Sequence, residues 1–169
     1  QPQGAEAGVR GLATLVPVLG LVGTWLIVDI GHEKTTFCAL HDGRPVLARS
    51  IPVAGRAMTE SIAAEMGLSF EEAEQRKCEG GVLREGVGAI SPGVVAIIDR
   101  IAREAVRTLE AAESRSREGP VAREATLTLV GGGAHMERID EVLAKRTGPA
   151  TEKLRLPADS GPADLVAGS

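Results

Sequence analysis

With 169 residues, the chain is long enough for one domain with a real core, or for one lobe of a larger fold. Its residues are 43% apolar and 25% charged, and with one Trp, two Phe and no Tyr the core must rest on Val, Ile, Leu and Ala. A net charge of −4 argues against a nucleic-acid partner, and two cysteines, Cys38 and Cys78, make neither a disulfide framework nor a metal pattern.

The first element to decide is the uncharged run from residue 11 to residue 28, which ends abruptly in "VDIG". Its length is about the minimum for a membrane span. Pro17 and glycines 11, 20 and 23 interrupt it, however, and "TWLIV" is β-rich. No basic n-region or small-residue cleavage site marks a signal peptide. The expectation is a short helix over 11–19, a glycine turn over 20–23 and a buried strand over 24–30, with no span of the membrane. Residues 1–23 then form an N-terminal helix and turn outside the main domain.

Two more strand signals follow, "KTTFCALHDG" and "RPVLARSIPVA". The Asp42-Gly43 turn and short spacings predict an antiparallel three-strand meander. In "RAMTESIAAEMG", Met58, Ile62 and Met66 share one helical face, and Gly67 ends the helix. "SFEEAEQRKCEGG" reads as a second helix, with Ser69 as N-cap and acids in its first turn. The glycine-rich stretch 79–93 reads as a loop or mobile insertion, so that 56–93 is a helical insertion.

A long helix starts near Ser91-Pro92, keeps Val94, Ile98, Ile101, Ala105 and Leu109 inward and frays through "ESRSREGP". Arg100, Arg103 and Arg107 line one of its faces, which could bind an acidic partner, but Glu104 and Glu110 dilute that charge and favour a solvated surface. "ATLTLV" is a strand, "GGG" a tight turn, "AHMERIDEVLAKRTG" a helix and "TEKLRLP" a last strand. The domain thus runs over 24–157, and 158–169 is a loose tail.

Chemistry concentrates at two glycine turns. Asp29-Ile30-Gly31 sits between two strands and is followed by Thr35 and Thr36, whose hydroxyls could add donors to the backbone N–H groups that approach an anion. Asp29 itself would repel phosphate, so its carboxylate suits a hydrated metal beside the phosphates. "LVGGG", residues 129–133, permits close backbone approach at a helix start. Neither turn is a Walker loop or GxGxxG. His32, His41 and His135 lack ligand spacing, and no Ser or Cys stands in a nucleophile setting, so no catalytic residue and no metal site is assigned.

The order "VDIGxxxT", a meander, helices with Ala73-Glu74-Gln75-Arg76-Lys77, a long helix and "LVGGG" resembles the second lobe of the actin-like ATPase superfamily. Within it, "HDGRPVLARSIPVAG", "TESIAAEMGLSFEEAEQRK" and "LVGGGAHMERIDEVLAKRTG" are similar to PilM of type IV pilus assembly. The related cytoplasmic part of GspL in type II secretion has the same fold. The resemblance covers about 24–157. It implies an actin-like (ribonuclease H-like) α/β lobe, a mixed sheet with an antiparallel three-strand meander flanked by helices. Its implied nucleotide-facing set is Asp29, Gly31, Thr35, Glu74, Lys77, Gly131, Gly132 and Gly133.

The first lobe of that family, with its own phosphate loop, has no counterpart in these residues. His32-Glu33-Lys34 replaces the small residues usual after Asp-x-Gly. The expectation is therefore an isolated second lobe with half of a nucleotide site, Mg-ATP belonging to the intact two-lobed protein and not held tightly by this chain. The resemblance further implies a cytoplasmic location at the inner face of the bacterial inner membrane. Its implied partners are other pilus or secretion inner-membrane platform proteins and the assembly ATPase. Two functions stay open, an assembly-platform module acting through protein contacts and a lobe of an active ATPase or sugar-kinase-like phosphotransferase.

Overall fold

In the computed structural model, which describes residues 22–83, 91–115 and 125–153, the three apolar runs after Gly23 become three strands. They are β1 (Thr24–Ile30), β2 (Thr35–His41) and β3 (Arg44–Ile51), paired as the expected antiparallel meander. The β2–β3 link needs only Asp42 and Gly43 because both adopt positive φ, 45° and 71°, the backbone twist that suits a two-residue hairpin. Asp42 also ties off the sheet. Its carboxylate accepts from the Gly23 N–H at 2.8 Å, and its own N–H donates to the Gly23 carbonyl at 2.9 Å.

β4 (Thr126–Val130) lies parallel to β1, and β5 (Ala150–Lys153) parallel to β4, in the order β3-β2-β1-β4-β5. The fold is the mixed α/β sheet that the pattern predicts, with β1 at its centre. Residues 24–28 of the uncharged run lie in that central strand, and residues 1–21 fall outside the described residues. No helix among the described residues is long and apolar enough to cross a membrane.

Between β3 and β4 run α1 (Gly55–Met66), α2 (Phe70–Glu79) and α3 (Pro92–Glu113). Each boundary has a local cause. Gly67, at φ 65°, ends α1 by donating its N–H to the Ala63 carbonyl. Ser69 and Glu72 form a reciprocal capping box at the start of α2. The Ser91 hydroxyl accepts from the Val94 N–H at 3.1 Å, and Pro92 occupies the first turn of α3, where no backbone donor is needed.

The core follows from two periodicities. Leu26, Val28 and Ile30 of β1 and Phe37 and Ala39 of β2 point to one face of the sheet, where α3 lays down Ile98, Ile101, Ala105 and Leu109. Met58 and Ile62 of α1 complete this cluster, as do Leu127 and Leu129 of β4. Each of the larger buried side chains contributes about 1.5–3 kcal/mol, and the alanines less. Ile27, Cys38 and Leu40 make a smaller cluster on the opposite face, flanked by Trp25 and Val130. Cys38 is a buried free thiol, its pKa raised by burial, and Cys78 is exposed and free.

One expectation changes. The segment after the triple glycine is not one helix over 134–148. A 3-10 turn, Gly132–His135, comes first, the chain then breaks at Arg138 (φ 64°), and α4 spans only Ile139–Thr147. Met136, 5% exposed, is drawn into the core, and that burial overrides helical continuation. The glycine-rich stretch 79–93 is also anchored at its start, where Val82 and Leu83 are buried in the main cluster. Residues 84–90 and the predicted tail 158–169 lie outside the described residues, as does the predicted strand beyond Lys153.

Candidate functional site

Because β1 and β4 are adjacent and parallel, with Asp29 paired to Val130, both glycine turns leave the sheet at the same edge. The C-terminal ends of parallel strands are where open α/β sheets present ligand sites. The sheet therefore brings Asp29 and Gly31 together with Gly131, Gly132 and Gly133.

Packing explains two of the three consecutive glycines. Gly131 has φ 85° and ψ 171°, a backbone region open only to glycine. A methyl there would run into Asp29 Oδ1 and come within 2.8 Å of the Ile30 carbonyl. Gly133 is buried, and a methyl on it would meet the Ile30 side chain, with Ile30 O at 3.0 Å. Gly132 faces open space, with nothing within 4 Å of where a Cβ would stand. The first amides of a 3-10 turn have no partner within it, so this exposed glycine presents backbone without a side chain to shield it.

The Asp-x-Gly turn is closed from within. The Gly31 N–H donates to the Lys34 carbonyl at 3.1 Å. The carbonyls of Gly31 and His32 then accept from the first amides of α1, Gly55 N–H at 3.0 Å and Arg56 N–H at 2.7 Å. Ala54, the residue before α1, supplies no side-chain cap, so the turn itself caps the helix. The charges that replace the family's small residues are accommodated. Glu33 pairs with Arg56 at 3.0 Å on the surface, and Lys34 acts on Asp29.

Asp29 is half-buried, and burial pushes its carboxyl above the usual carboxylate range, against the opposing pull of the Lys34 ammonium. A carboxyl raised on folding contributes stability fully present below its unfolded pKa and lost as pH rises through its folded value. Asp29→Asn should therefore raise the melting temperature by a few degrees at neutral pH. The gain should shrink as pH falls below the folded value of Asp29. A thermal-melt series from pH 4 to pH 8 with a constant offset would contradict this.

Glu74 and Lys77, on α2, form a second group reached through Gly55. The Lys77 ammonium, with its residue 8% exposed, donates to Glu74 Oε2 at 2.7 Å, Thr59 Oγ1 at 2.8 Å and the Gly55 carbonyl at 3.2 Å. The Thr59 hydroxyl donates in turn to the Gly55 carbonyl or to Glu74 Oε2. For Glu74 burial pushes the pKa up, but the bonds from Lys77 and Thr59 and the nearby Lys77 and His32 charges outweigh it, leaving it below the usual range. Thr35 is fully buried at the start of β2, and its hydroxyl donates to the Val53 carbonyl at 2.7 Å. Thr36 shares a hydrogen bond with Ser50 Oγ at 3.2 Å.

Sequence reasoning missed Gly55 and Thr59, which join these groups. A methyl on Gly55 would stand 3.2 Å from the Gly31 carbonyl and 3.5 Å from Lys77 Nζ. The available signal was a glycine opening a helix with no capping side chain before it. Among the described residues no cluster of His, Cys, Asp and Glu could hold a metal ion.

The family model for the cell division protein FtsA matches residues 26–163. The chain belongs to the FtsA family. Solved structures similar to this FtsA-family chain have the actin-like ATPase fold. In a PilM–PilN type IV pilus biogenesis complex, one chain is 24% identical, with a TM-score of 0.65 over 85% of this chain and 40% of that one. The ethanolamine utilization protein EutJ from Carboxydothermus hydrogenoformans is 21% identical, with a TM-score of 0.64 over 83% and 47%. MreB5 of Spiroplasma citri bound to AMPPNP is 20% identical, with a TM-score of 0.62 over 83% and 51%. At these identities the likeness concerns the fold, which is actin-like. This FtsA-family chain spans about half or less of the length of each of them.

Proposed function

We propose that this chain is one lobe of an actin-like assembly-platform module at the inner face of the bacterial inner membrane. In this reading the intact protein works by binding partner proteins of a type IV pilus or type II secretion machine, among them inner-membrane platform proteins and the assembly ATPase. One observation carries the reading: four of the candidate nucleotide groups of this lobe are already engaged in bonds within it. Lys77 and Glu74 pair with each other, Gly31 N–H is bonded to Lys34 O, and the Thr35 hydroxyl is bonded to Val53 O. The likeness to the chain in the PilM–PilN complex supports the choice of machine.

The edge that remains open suits half of a nucleotide site. Gly132 leaves room for close backbone approach, and Asp29 near this turn has the chemistry to hold the waters of a magnesium ion. Mg-ATP bound there would supply the charged phosphates and their metal, with the Gly132 backbone and Asp29 as this lobe's contribution. Both lobes are needed to hold it.

The reading is tested with the intact parent protein in a bacterial two-hybrid assay. The baits are the cytoplasmic tail of a PilN-type partner, a type II secretion platform protein and a division-ring protein. Binding to the first or second supports the proposal, and exclusive binding to the division-ring protein sinks it. A second reading, a lobe of an active ATPase or sugar-kinase-like phosphotransferase, is favoured by the relatives solved with AMPPNP and ADP. It requires phosphate release by the intact protein that falls at least tenfold in Asp29→Ala. An unchanged rate removes it.

A further inference from the structure

The outward face of α3 carries a groove that shares no residue with the glycine turns. It has a volume of about 420 Å³ and runs along Ala102, Arg103, Val106, Arg107 and Glu110, with Arg146 from the last turn of α4 forming its far wall. Asp99, Arg103, Val106, Arg107 and Glu110 recur at helical spacing and form one stripe flanking the buried face of α3, with Ala102, itself part of the core cluster, at the border between them. From Asp99 to Glu110 the stripe covers three turns, or about 16 Å.

Charge within the groove is unevenly neutralised. Asp99 is occupied by Arg146, and Glu104 by Arg49 at 3.0 Å. Arg107, 69% exposed, reaches Glu104 only at 3.8 Å. Arg103, and Arg100 beside the groove, have no ion-pair partner among the described residues. An acidic chain thus presents a basic ridge over a recessed apolar floor of Ala102 and Val106. Unscreened local charge of this kind steers an oppositely charged partner.

We propose that this groove docks an acidic amphipathic helix of a partner protein. The apolar edge of that helix meets Val106 and Ala102, and carboxylates one turn apart meet Arg103 and Arg107. Glu110 closes one end and orients the occupant by favouring a basic residue there. Its carboxylate also disfavours a phosphate backbone along that track. The inference is independent of which machine the intact protein serves.

The test is fluorescence anisotropy on the full chain with a labelled Leu/Glu amphipathic peptide of about 15 residues, long enough to form a helix. A matched peptide with Gln for Glu serves as control. Expected is affinity of about 10 µM for the Glu peptide, weakening with salt and falling at least tenfold in R103E/R107E. The charge-removing pair R103Q/R107Q should fall between the two, and it stands in should the reversal variant fail to fold by circular dichroism. The proposal is overturned by no binding, by equal binding of the Gln peptide, or by wild-type affinity in a folded variant. Tighter binding of single-stranded DNA through the same arginines overturns it too, as does sedimentation showing that they hold a second copy of the chain.

Discussion

Replacing Gly131 with alanine is expected to cost about 3 kcal/mol of folding stability, while the same change at Gly132 should stay within about 0.5 kcal/mol. Two independent penalties add at Gly131. Its φ of 85° and ψ of 171° lie where a side chain is strained, and the new methyl would press on the Ile30 carbonyl at 2.8 Å and on the Asp29 carboxylate. Gly132, one residue on, meets nothing within 4 Å. Equilibrium urea unfolding of the two variants side by side is the measurement. Equal losses would mean that β4 does not bring its turn against the end of β1. Since the same close contact holds Asp29 half-buried, Gly131→Ala should also disturb the pH dependence expected of Asp29.

Lys77→Met should destabilise the protein by about 3 kcal/mol, because it removes the donor shared by Glu74, Thr59 and the Gly55 carbonyl. The Glu74 side chain is 39% exposed, which holds the loss to the lower end of what an abandoned buried partner costs. Adding Glu74→Gln should recover about 1 kcal/mol, as expected of two groups in contact. Acid gives an independent check. The Glu74 carboxyl is lowered on folding, so its contribution is present above its unfolded pKa and disappears as pH falls through its folded value. The gap between wild type and Lys77→Met should narrow only there. A loss below about 0.5 kcal/mol would mean that the lysine is an ordinary surface residue.

How far the fold was legible follows from where its information lies. The meander could be read because Asp42-Gly43 allows only a two-residue hairpin and the apolar runs on either side have strand length. The helices could be read because Gly67, Ser69 and Ser91-Pro92 mark their ends with local chemistry. The helix after the triple glycine was drawn too long for the opposite reason. Met136, Ile139 and Leu143 keep a helix-like spacing and all three are buried, yet the break between them is set by tertiary packing and by Arg138 at positive φ.

The site divides along the same line. Asp29, Gly31 and the glycines 131–133 are strand-end features, and once β1 and β4 are known to be parallel neighbours their meeting is dictated. The pairings of Lys77 with the Gly55 carbonyl and Arg56 with Glu33 join residues more than twenty positions apart. No spacing in the chain announces them. The lysine that resemblance assigns to a nucleotide is bonded to a helix start. Its bond to Gly55, not a motif, links α2 to the strand edge.

The backbone bonds from Gly55 and Arg56 to the carbonyls of Gly31 and His32 have a mechanical consequence. Since the start of α1 has no side-chain cap, the strand-end turn cannot change shape without disturbing the first two amides of a twelve-residue helix. Anything that reshapes the turn, a ligand at the strand edge included, would have to bend or break those two bonds, so the start of α1 and the turn that carries Asp29 are coupled through backbone alone.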